Sequence, residues 1–124
     1  MEEKRDPRIE IYANLDHVQD EIEKAANDRK DEIKKEAKEE INSLKDGIKD
    51  MKEEVNDSFK EYKDEMKDSN DPAAKEKISA AKEASKVVIK NIENDFEEEK
   101  ARIERETDHR INSIENMLDK SDDQ

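Results

Sequence analysis

Cysteine is absent from the chain, which removes both a disulfide framework and a thiolate metal site. Tryptophan is absent as well, and aromatic residues make up only 3% of the sequence. A chain so short of large apolar side chains lacks the material for the core that a compact globule of 124 residues needs. The single glycine, Gly47, leaves no Gly-rich phosphate loop and no calcium-binding loop of the twelve-residue kind. No apolar run approaches the roughly 20 residues that span a bilayer. Residues Met1 to Pro7 hold no apolar segment and do not read as a signal peptide, so the expected location is cytoplasmic.

Charge is what the chain has in abundance. Charged residues are 51% of the total, and 38 acidic side chains against 25 basic ones leave a net charge of −13. That balance argues against nucleic acid as a partner, because phosphate binding needs basic charge. It argues equally against an anionic membrane surface. Composition alone fits a disordered acidic tail as well as a coiled coil. Periodicity separates the two.

Every eleventh residue from Ile11 is apolar: Ile11, Ile22, Ile33, Leu44, Val55 and Met66. Four residues after the first five come Leu15, Ala26, Ala37, Ile48 and Phe59. The third position of the repeat holds Val18, Met51 and Tyr62, with Arg29 breaking the pattern and Ile41 slipped by one. Eleven residues over three turns average about 3.67 per turn, the repeat of straight or slightly right-handed coils. Asp6 as N-cap and Pro7 at the first helical position open this helix. It is expected to run from about residue 7 to about 67, roughly 90 Å, tolerating Gly47 as a weak spot.

The stripe stops in the turn, about 68–71, and Asp71-Pro72 repeats the start signal of Asp6-Pro7. A second helix, about 72–120, carries the same repeat through Ile78, Ala81, Ser85, Ile89, Ile92 and Phe96, then Lys100, Ile103, Thr107, Ile111, Ile114 and Leu118. Folding the chain back about Asn70 sets the stripes against each other, so that Ala81 meets Phe59, Phe96 meets Leu44, Ile103 meets Ala37, Ile89 meets Met51 and Leu118 meets Ile22. Large residues repeatedly face small ones, as interdigitating layers require. Two layers are awkward, with Lys100 against Glu40 and Ile111 against Arg29. The expected fold is therefore all-α: residues 1–124 form a single long antiparallel two-helix hairpin, an eleven-residue-repeat coiled coil.

Two apolar features find no partner inside such a hairpin. Ile11, Leu15 and Val18 overhang the end of the second helix, and Ala84, Val87 and Val88 widen its stripe. These six are the expected protein contacts. A lone hairpin leaves its seam half exposed, so dimerisation into a four-helix bundle is expected, with a further protein partner allowed for.

No catalytic, cofactor-binding or metal-binding residue is assigned, and no enzyme activity is expected. Glu106 and His109 have the Glu-x-x-His spacing of half a di-metal site, but Asn14 stands three residues before His17, so the second half is missing. His17 lies among acids that would repel a phosphoryl group. The expected function is structural: an acidic coiled-coil spacer, scaffold or adaptor. The alternative is an amphipathic protein that opens onto a lipid surface or protects a client under stress.

Overall fold

The computed structural model describes the backbone of residues 7–122 and the side chains of residues 15–119. Two long helices, α1 (Pro7–Asp68) and α2 (Ala74–Asp122), pack antiparallel as a helical hairpin, with no strand among the described residues. Pro7 opens α1, where its missing N–H costs nothing; Asp6 lies outside the described residues. Gly47 does not interrupt the helix.

The connection is built from local hydrogen bonds. Ser69 ends α1: its N–H donates to the carbonyls of Glu65 (3.1 Å) and Met66 (3.3 Å), and its hydroxyl donates to Met66 (2.7 Å). Asp71 caps the next helix, its carboxylate accepting the Ala73 N–H at 2.9 Å. The Ala74 N–H donates to the Asp71 carbonyl at 3.1 Å, a tight first turn. Regular helix therefore begins at Ala74, two residues later than the Asp71-Pro72 signal implies.

The chain falls into two units, residues 1–37 with 106–124, and residues 38–105. In each unit the side chains turned from water follow the eleven-residue repeat. On α2 the sheltered stripe is the one the sequence spells out, from Ile78 through Phe96 and Ile103 to Leu118. Its hydroxyl at Ser85 donates to the Ala81 carbonyl at 2.9 Å, so the seam hosts a serine without leaving it unsatisfied.

The stripe on α1 differs at its third position. Ala26, Ala37, Ile48 and Phe59 are sheltered as expected, and so are Ile33, Leu44, Val55 and Met66. The third series is Lys30, Ile41, Lys52 and Lys63 in place of Val18, Arg29 and Met51, with Tyr62 sheltered beside Lys63 as expected. Ile41 is in phase and not slipped. Arg29 and Glu40 are exposed, so the awkward layers expected there do not form, and Met51 is 52% exposed instead of facing Ile89. The physical reason lies in the lysine side chain, which can lay its four-carbon stem in a seam and keep its ammonium in water. The Lys30 Nζ reaches Glu115 at 3.3 Å with its side chain only 17% exposed, and the Lys52 Nζ reaches Glu93 at 2.7 Å.

The seam is shallow. Among the described residues only Ile33 (2% exposed) and Ile103 (3%) are fully buried apolar side chains, and no buried side-chain nitrogen or oxygen lacks a partner. Ile22 is exposed rather than covered by Leu118.

Candidate interaction surface

Met51 and Ile22, expected in the seam, stand outward. Val18, Met51, Val87 and Val88 are exposed large hydrophobics, together with Leu15, Ile22 and Met117. Of the six expected contact residues, Leu15, Val18, Ala84, Val87 and Val88 all stand exposed to water, and the side chain of Ile11 lies outside the described residues.

In the 38–105 unit, the two flanks of the seam have opposite chemistry. One flank is an open groove of about 450 Å³ between Val55, Phe59 and Tyr62 on α1 and Ala81, Ala84 and Val88 on α2. Along α1 the same side continues past Met51, Gly47 and Ser43 in a smaller, almost wholly apolar depression beside Leu44 and Ile48. The other flank is ionic: Lys45, Lys49 and Lys52 stand across from Glu93 and Glu97. The structure thus brings Ala84 and Val88 together with Met51 and Gly47 as parts of one apolar side, an association that reading Met51 as a seam residue conceals.

In the other unit, charge dominates. Arg29 donates to Glu32 at 2.8 Å and lies 3.9 Å from Glu36, which is also 3.9 Å from Arg110. Leu15, Val18 and Ile22 form the exposed apolar strip of this unit, and Met117 stands exposed on α2.

The histidines take no part in a cluster. The His17 Nε2 sits 3.1 Å from Glu21 on an exposed helix face, and the carbonyl of His109 accepts the Ser113 hydroxyl at 2.9 Å. Among the described residues no group of three or more His, Cys, Asp or Glu side chains could hold a metal ion, and no helix is long and apolar enough to cross a membrane.

The perturbed carboxylates are partly exposed and belong to local pairs. Asp71 is held below its ordinary range by the Lys77 ammonium and then by the Ala73 N–H, and Lys77 is raised in return by Asp71. Glu99 is lowered by Arg102 one turn on. These are capping and helix-face contacts, and none of the three groups lines the grooves described above. Comparison with known proteins finds no matching family model, no matching curated protein and no matching solved structure.

Proposed function

We propose that the chain is a non-enzymatic structural and interaction protein, an acidic coiled-coil spacer, scaffold or adaptor that works by self-association and by holding a protein partner. The observation that carries this reading is the set of large apolar side chains left in water, Met51, Val87 and Val88 in one unit and Leu15, Val18 and Ile22 in the other. Among the described residues only two apolar side chains, Ile33 and Ile103, are buried, so the hairpin gains little from its own seam there. Such faces on a water-soluble chain are characteristic of binding surfaces. The test is light scattering on a gel-filtration column over a concentration series. Self-association predicts a mass approaching twice the 14.5 kDa of one chain as concentration rises. A constant monomer mass removes self-association from the proposal.

The half-exposed seam favours one second reading, in which the helices part and lay their stripes on lipid or on an unfolding client. It predicts low helicity for the isolated chain and a rise on adding zwitterionic vesicles. Circular dichroism that is already helical and flat through that titration refutes it.

A further inference from the structure

The apolar flank of the 38–105 unit is the place where a second copy of this chain docks, we infer, an assignment that rests on the self-association proposed above. Three observations lead to it. The first is area: the chain exposes 10500 Å², whereas compact monomers of its mass expose about 6900 Å². That excess, about 3600 Å² over the whole chain, exceeds the share of about 800 Å² that a standard dimer interface takes from each partner; it bears on association as such, and the next two observations bear on which face is used.

The second is charge. Each copy carries −13, so two copies repel unless they meet where carboxylates are few. The groove beside Val88 has Glu54 as its one acidic lining residue. The depression at Gly47 has Glu40 alone. The opposite flank already pairs Lys52 with Glu93 inside the chain, and exposed ion pairs add little to association.

The third is continuity. Met51 is 52% and Val88 45% exposed, and they lie on the same side as Ala84 and Gly47. A methyl group added at Gly47 would meet nothing within 4 Å in its own chain, so this part of α1 is open to an incoming surface. A face of this kind used by two identical chains gives an isologous, two-fold interface.

The experiment compares two double variants of equal added charge. Met51→Glu with Val88→Glu places carboxylates on the docking flank. Ser79→Glu with Asn94→Glu places them on exposed positions of α2 that line neither apolar depression. The first pair is expected to halve the mass read by light scattering while remaining helical, and the second to leave a dimer.

Thiol footprinting gives a readout independent of those substitutions, because the chain has no cysteine of its own. Cysteine introduced by Gly47→Cys should be alkylated several-fold more slowly at dimer-forming concentrations than on dilution. Cysteine introduced by Asn94→Cys should react equally at both. A wild-type dimer that survives Met51→Glu with Val88→Glu, and leaves the residue 47 thiol unprotected, overturns this flank while keeping self-association. A wild-type chain that stays monomeric overturns both.

Discussion

Replacing Ile33 by alanine removes three side-chain carbons from the most sheltered apolar position in the described chain. Only 2% of Ile33 meets solvent, so nearly all of that hydrocarbon returns to water or leaves a void. At about 0.8 kcal/mol per buried methylene the transfer loss is about 2.4 kcal/mol. A cavity adds to it, but neighbouring side chains and water can move into a seam only two helices deep. The expected cost is therefore about 2.5–3.5 kcal/mol, within the usual range for such a truncation. Val87→Ala is the matched control, since Val87 is 58% exposed and should change stability by no more than about 0.5 kcal/mol. Urea unfolding followed by far-ultraviolet circular dichroism reads both, at a protein concentration low enough for the chain to be monomeric by light scattering, so that association through Val87 does not enter the comparison. An Ile33→Ala loss below about 1 kcal/mol, or one equal to that of Val87→Ala, would refute the claim that the hairpin closes at Ile33.

Lys52→Met tests the seam lysines: its stem already lies in the seam, so thermal unfolding should show stability unchanged or raised by up to about 1 kcal/mol. Glu93→Gln should cost less than about 1 kcal/mol in the same assay, because its ion pair with Lys52 is only half screened from water. Titration of stability with pH should show the Asp71–Lys77 contact failing at both extremes. Asp71 is lowered on folding, so its contribution is complete above the unfolded pKa and disappears as pH falls through the depressed folded value, below the ordinary 3.8. Lys77 is raised, so its contribution is complete below its ordinary 10.5 and disappears as pH rises through the higher folded value; Asp71→Asn should abolish both limbs.

The helix α2 was legible because its sheltered stripe, from Ile78 to Leu118, is mostly apolar and keeps one phase. The helix α1 was legible at two of its three repeat positions for the same reason. Its third position was legible only at Tyr62. Hydrophobicity selects Val18 and Met51, whereas packing leaves both exposed and takes lysine stems one step further round the helix, at 30, 52 and 63, as apolar material. That single-residue shift carries Met51 onto the flank shared with Ala84 and Val88, so the candidate surface was only partly readable in advance. The pairing of Ile22 with Leu118 did not hold, since Ile22 is 49% exposed.

An incompletely buried hairpin is expected to complete itself by association, which in-line mass determination during gel filtration reads. A helical species of about 29 kDa, two chains of 14.5 kDa, that dissociates on dilution is the expected result. A helical chain that remains at 14.5 kDa at every concentration would contradict it.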